Sequence, residues 1–166
     1  MVILGKVEKS IEIKAPPEKV WEMLAFHRLP EWGEGFEGGL GERVEYTSEL
    51  KTPKDKYRVG ATAQGTPNTP FEDPQYHICR FKIIESLENK KLKYCAWEKP
   101  KYFGTLSMFV TYSLEPVGSD TKFTYELESG LPWGIFGKFL EKLFARRMAE
   151  KNMEKALENL KNILEK

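Results

Sequence analysis

A chain of 166 residues with 40% apolar side chains is long enough for one domain with a real core, and residues 1–166 read as a single domain. Its 26 Lys and Arg stand against 25 Asp and Glu, so a net charge of +1 gives no overall pull toward nucleic acid. Cys79 and Cys95 have no CxxC or CxxH spacing, which argues against a disulfide framework or a zinc site.

No apolar run approaches the ~20 residues of a membrane span. Met1 to Gly5 is too short for a signal peptide, so the sequence is expected to be cytoplasmic. Acids are mostly Glu and bases mostly Lys, a bias that fits a thermophile's surface ion pairs.

In chain order, Gly5 to Lys14 alternates, with Val7, Ile11 and Ile13 among charges, and predicts a half-buried strand. Ala15-Pro16-Pro17-Glu18 stops it, and proline is tolerated in the first turn of the helix that follows. That helix carries Val20, Trp21 and Leu24 on one face. His27 to Trp32 predicts a second short helix, running into the glycine-rich Gly33 to Gly41.

From Glu42 the period is two. Val44, Tyr46, Ser48 and Leu50 form one strand face, and Arg58 to Ala63 a second strand. Pro67, Pro70 and Pro74 make Gln64 to Gln75 an irregular loop. Tyr76 to Ile84, Lys91 to Trp97, Thr105 to Glu115 and Thr121 to Glu128 are four further strands, the last two joined by a turn at Val117 to Asp120.

Pro132 to Glu165 predicts one amphipathic helix, ~50 Å long at 1.5 Å per residue. Its stripe runs through Phe136, Leu140, Leu143, Phe144, Met153, Leu157, Leu160 and Leu164. Arg146, Arg147, Glu150 and Asn152 interrupt it near the inner face, where a dimeric coiled coil would stay apolar. This suits a helix lying over a hollow. The order gives an α+β, helix-grip architecture: a curved antiparallel sheet of six to seven strands around a long C-terminal helix, with two short helices after the first strand.

The segment Ile11-Glu12-Ile13-Lys14-Ala15-Pro16-Pro17-Glu18-Lys19-Val20-Trp21 resembles the START-like (SRPBCC, pollen-allergen-like) superfamily, in its polyketide cyclase/dehydrase-like branch. Leu29-Pro30-Glu31-Trp32, Val59-Gly60, Ile84 to Leu92 and Leu114-Glu115-Pro116 extend the resemblance over nearly the whole chain. It implies a cavity between sheet and helix for a hydrophobic or amphipathic small molecule. The chain departs from the branch pattern around His27-Arg28 and in its proline-rich 64–75 segment.

Strand parity indicates which residues face in. Leu106, Met108, Val110, Tyr112 and Leu114 share one face; so do Phe123, Tyr125 and Leu127; so do Leu92, Tyr94 and Ala96. Core packing is the competing reading for each. Tyr94, Tyr112 and Tyr125 are the better ligand contacts, because a buried hydroxyl needs a partner. On Tyr76 to Ile84, composition turns His77, Cys79, Phe81 and Ile83 inward, whereas the family pattern favours Ile84, which a bulge could reconcile.

His77 inside the cavity would be the natural general base, yet no carboxylate, serine or cysteine stands at motif spacing to it. Arg147 and Asn152 offer polar anchors on the helix. Trp32, Phe36, Trp133 and Phe136 fall at a cavity mouth, while Trp21 reads as core. The cavity set is therefore Tyr94, Met108, Tyr112, Phe123, Tyr125, His77, Trp133, Phe136, Arg147 and Asn152.

The leading expectation is a non-catalytic binder or carrier of a lipid, quinone or polyketide-like molecule, with no cofactor and no metal. The alternatives are a cyclase or dehydratase acting on an aromatic or polyketide substrate, and a protein-interaction module like the chaperone-activating relatives. A nucleic-acid partner is not expected, and the oligomeric state is monomer or weak dimer.

Overall fold

Alternating apolar and charged residues produce the seven described strands, and helical periodicity follows the first and the last of them in the chain. The computed structural model describes the backbone of residues 2–33, 43–66, 78–98, 106–131 and 135–166. Side-chain environments are described within 6–33, 43–65, 78–97, 107–128, 147 and 149–166.

The strands are β1 (Val2–Ile13), β2 (Arg43–Tyr46), β3 (Thr62–Thr66), β4 (Cys79–Leu87), β5 (Lys91–Glu98), β6 (Leu106–Val117) and β7 (Asp120–Leu131). They form one antiparallel sheet in the order β1-β7-β6-β5-β4-β3-β2. Short helices α1 (Pro17–Glu22) and α2 (Leu29–Trp32) follow β1, with a 3-10 turn at Phe26–Arg28 before α2. The helix α3 (Ile135–Leu164) ends the fold. The chain is thus an α+β helix-grip protein, with a curved sheet, early short helices and a long C-terminal helix.

Two hairpins need a left-handed residue. Asn89, between β4 and β5, has φ 61°, and Gly118, between β6 and β7, has φ 62°. Asparagine and glycine are the residue types that adopt this conformation at least cost.

The inner face of the sheet buries Phe81, Ile83, Leu92, Tyr94, Ala96, Val110, Tyr112, Leu114, Phe123, Tyr125 and Leu127. Met153, Ala156, Leu157 and Leu160 of α3 belong to the same core. Each fully buried large side chain contributes about 1.5–3 kcal/mol relative to exposure. α3 is tied down at its C-terminal end. Lys9 pairs with Glu154 at 3.0 Å. The Lys161 ammonium donates to the Glu12 carbonyl at 2.9 Å, and the Lys14 amide donates to the Glu165 carboxylate at 2.8 Å.

Several sequence expectations are corrected. The strand through Leu50 ends at Tyr46, and Leu50 is exposed. The strand expected over Arg58 to Ala63 begins later: a 3-10 turn covers Pro53–Tyr57, the chain turns at Gly60 (φ 92°), and β3 starts at Thr62. The Thr52–Asp55 capping box builds that turn, competing successfully with the alternating pattern.

On β4 the composition-based parity holds, with Cys79, Phe81 and Ile83 buried. Ile84 points out, against the family pattern: strict alternation after the inward Ile83 places it there, and the bulge between Ile83 and Glu85 does not turn it in. The proline-rich 64–75 loop begins later than expected, since Gln64 to Thr66 belong to β3; its remainder lies outside the described residues. Trp32 is core, not a cavity mouth.

Candidate functional site

The inner face of β5, β6 and β7 concentrates aromatic side chains, because Tyr94, Tyr112, Phe123 and Tyr125 all fall at inward parity. Tyr112 and Tyr125 are direct cross-strand partners, with ring centroids 5.2 Å apart. Tyr94 and Tyr112 lie on neighbouring strands with centroids 5.6 Å apart, and their hydroxyls hydrogen-bond at 2.8 Å. Phe123 packs on Tyr112 at 5.5 Å. Edge-to-face and tilted pairs of this kind are worth about 0.5–1.5 kcal/mol beyond area burial.

The early helices close one side of this layer. Phe26 meets Tyr94 edge-on at 5.2 Å and lies 5.3 Å from Phe81. Trp32 meets Tyr112 at 5.5 Å and Phe123 at 6.2 Å. Its indole N–H is satisfied by the Met23 carbonyl at 2.8 Å, which holds the ring's orientation. The Asn159 side chain on α3 donates to the Trp32 carbonyl at 3.2 Å, linking helix, aromatic layer and sheet. What results is an apolar, aromatic surface with one central polar feature, the tyrosine hydroxyl pair.

The residues singled out from sequence divide as follows. Tyr94, Tyr112, Phe123 and Tyr125 come together in this layer, all buried. Met108 is half-buried against its edge. Asn152 is half-buried on α3, whereas Arg147 is exposed and so points away from the layer. The helix phase explains this: Met153, Ala156, Leu157 and Leu160 fix the inward side, and Arg147 falls off it. His77 and Trp133 lie outside the described residues, as does the side chain of Phe136.

Sequence reasoning missed Phe26 and Phe81 as members of the layer and placed Trp32 at a mouth. Phe81 was legible from parity once the β4 face was chosen. Phe26 sits in a 3-10 turn, where neither the strand nor the helix period applies.

Tyr46 extends the polar network at the other end of the sheet. Its hydroxyl accepts the Phe26 amide at 2.9 Å and donates to the Lys56 carbonyl at 3.0 Å. Burial holds its phenol well above the ordinary tyrosine range, so it stays protonated and structural. His27 is exposed beside the Tyr46 ring. Partial desolvation, then the charges of Lys56 and Arg28, lower its pKa, so it is neutral at physiological pH and remote from the buried tyrosines.

A concavity lies on the outside of the molecule. Two adjoining clefts of about 240 and 290 Å³ share Trp21, Lys54, Tyr57 and Glu88. Their aromatic wall is the stacked Trp21–Tyr57 pair, with centroids 5.2 Å apart. Among the described residues, no group of three or more His, Cys, Asp or Glu could hold a metal ion. Among the same residues, no helix is long and apolar enough to cross a membrane.

Comparison with known proteins agrees with this architecture. A protein from Mesorhizobium loti is similar at 19% identity and a TM-score of 0.69, with 97% of each chain covered. A START superfamily protein from Mycobacterium smegmatis is similar at 13% identity and a TM-score of 0.61, covering 96% of this chain and 97% of that one. The di-domain ARO/CYC StfQ from the steffimycin biosynthetic pathway matches at 14% identity and a TM-score of 0.68, over 99% of this chain and 51% of its own. At these identities the likeness is one of fold. No curated protein matches the chain. The family model described as polyketide cyclase / dehydrase and lipid transport matches residues 5–165, and the chain belongs to that family.

Proposed function

We propose that this protein binds a hydrophobic or amphipathic small molecule between the inner face of its sheet and α3. The observation that carries this reading is the Tyr94–Tyr112 hydroxyl pair, 2.8 Å apart and buried within an aromatic layer. A core needing only stability is served at least as well by phenylalanine, since polar groups in an apolar setting are costly unless fully satisfied. A phenol hydroxyl both donates and accepts, so a hydroxyl of the pair can exchange a present partner for an oxygen of a bound molecule. The ligand that suits this surface has a ring or chain to lie on Tyr125 and Phe123 and one carbonyl or hydroxyl to meet the pair. Lipids, quinones and polyketide-like compounds share that chemistry. Met108 and Asn152 would border the ligand, and His77, Trp133 and Phe136 remain candidates for it.

The test is native mass spectrometry of the purified protein before and after organic extraction, joined to titration with a fluorescent apolar probe. A co-purifying molecule, or probe binding weakened about tenfold in Tyr112→Phe as expected for one lost hydrogen bond to a buried partner, supports the reading. A protein that carries nothing and whose probe binding ignores both Tyr94→Phe and Tyr112→Phe contradicts it.

The same hydroxyl pair favours a second reading, a cyclase or dehydratase. A phenol of the pair turned to a substrate carbonyl, supported by its hydrogen-bonded neighbour, would stabilise the negative charge that develops as an enolate forms. Turnover of a poly-carbonyl substrate that disappears in Tyr112→Phe while binding persists would select catalysis over carriage.

A further inference from the structure

The outer face of the sheet, opposite α3, segregates its charges in a way that the net charge of +1 conceals. On β4 and β5 the outward residues are Arg80, Lys82, Lys93, Cys95 and Trp97, since Cys79, Phe81, Tyr94 and Ala96 point in. Arg80 stands directly across from Trp97, and Lys82 across from Cys95. Phe109 on β6 stands across from Cys95, and the Lys93 ammonium lies 5.8 Å from the centre of its ring.

Lys82 is exposed, while Arg80, Lys93, Trp97 and Phe109 are half-buried. Elsewhere on the fold some cations are matched: Lys6 with Glu126, Lys9 with Glu154, Lys91 with Glu85, Arg28 with Glu31. Among the described residues Arg80, Lys82 and Lys93 make no ion pair. Glu85 faces Lys93 in register, but its carboxylate is engaged by Lys91 at 3.1 Å. Glu128 flanks the patch, across from Phe109 on β7.

We propose that the outer face of β4–β6 is a binding surface for single-stranded nucleic acid, with Arg80, Lys82 and Lys93 on phosphates and Trp97 stacking a base. Residues two apart on a strand are separated by about 6.7 Å, so Arg80 and Lys82 form a row that a phosphate backbone can follow. Unmatched cations release counterions from a polyanion when they bind it. A half-buried indole beside an arginine offers a ring face and a guanidinium plane at one level, the arrangement on which unpaired bases stack. A duplex hides its base faces and gains nothing from Trp97. A bilayer favours apolar side chains that protrude, whereas these rings are sunk in the sheet. The surface is separate from the interior aromatic layer, and the proposal does not depend on the ligand bound there.

The experiment follows the fluorescence anisotropy of a short labelled oligothymidylate, its duplex with oligodeoxyadenylate, and sedimentation with phosphatidylcholine–phosphatidylserine vesicles. The full chain is used throughout, and folding of each variant is checked by circular dichroism. Expected is single-strand binding at low salt that quenches tryptophan emission and falls with salt at a log–log slope of about −2, for three contacts. Arg80→Glu with Lys82→Glu weakens it at least about tenfold, and Lys93→Ala shallows the slope by about 0.7. Trp97→Leu, a milder change should reversal unfold the protein, weakens it about tenfold through lost stacking. Lys151→Glu, on the exposed side of α3, binds as the parent does. The proposal is overturned if the oligonucleotide does not bind at low salt, if duplex or vesicles bind more tightly than the single strand, or if the β4 reversals leave affinity unchanged.

Discussion

The hydroxyls of Tyr94 on β5 and Tyr112 on β6 lie 2.8 Å apart and hydrogen-bond to each other, with both side chains withdrawn from solvent. Removing either hydroxyl deprives the other of that partner in an apolar setting. Tyr94→Phe and Tyr112→Phe are each expected to cost about 1–2 kcal/mol in chemical denaturation. The double variant should cost less than their sum, by about 1 kcal/mol, since each single variant already breaks the bond they share. Strict additivity would show that the two hydroxyls do not depend on each other.

Trp32 anchors the early helices to the same layer through its bond to the Met23 carbonyl and its contacts with Tyr112 and Phe123. Trp32→Ala is expected to destabilise the fold by about 3–5 kcal/mol, as large aromatic truncations do. Trp32→Phe should cost less, keeping the packing but abandoning the buried carbonyl. Thermal denaturation of the two variants side by side reads the difference.

Thr121 is wholly buried and donates to the Ala15 carbonyl at 2.7 Å, fixing the corner where β1 leaves the sheet for α1. Thr121→Val keeps the shape and orphans that carbonyl. A loss of about 1–3 kcal/mol is expected, and Thr121→Ser should recover most of it. A neutral Thr121→Val would mean that water replaces the hydroxyl at this corner.

Glu165 accepts the Lys14 amide and the Lys161 ammonium at 2.8 and 3.0 Å, and these bonds hold its pKa below the usual carboxylate value. Asp55 is lowered likewise, by the Thr52 and Lys51 amides at 2.9 and 2.7 Å. A depressed folded-state pKa means stability that is complete above the unfolded value of about 4 and lost as pH falls through the lower folded value. Glu165→Gln and Asp55→Asn should therefore melt below the parent at neutral pH, and the gap should close under acid. A gap that widens on acidification would reverse the sign and refute the assignment.

Gly60 sits at φ 92° with open space where a Cβ would stand, so Gly60→Ala meets backbone strain alone. A cost of about 1 kcal/mol or somewhat more is expected. Gly118, at φ 62°, is in the region asparagine tolerates, and Gly118→Asn should come close to the parent in equilibrium unfolding.

The inward faces of the second-half strands were legible because parity there is unambiguous: Leu92, Tyr94 and Ala96, then Val110, Tyr112 and Leu114, then Phe123, Tyr125 and Leu127, all face the core as expected. The Arg58 to Ala63 error arose where a capping box at Thr52 and Asp55 outweighed a short alternating run. Ile84 was misplaced by the family pattern, whereas the alternation that turns Phe81 and Ile83 inward puts it outside. Arg147 was placed near the inner face because the phase of a thirty-residue helix is loosely set by an interrupted stripe; Met153, Ala156, Leu157 and Leu160 settle it.

By itself, the sequence determined the strands of the second half, the long final helix and thereby the family, since these rest on local periodicity and on the residues at each turn. Only the tertiary structure decided that the Tyr94 and Tyr112 hydroxyls meet, that Phe26 and Trp32 close over them, and that Arg80, Lys82 and Lys93 share an outer face without carboxylate partners among the described residues. Those relationships join residues far apart along the chain, and their distances follow from strand register and packing, which no local pattern encodes.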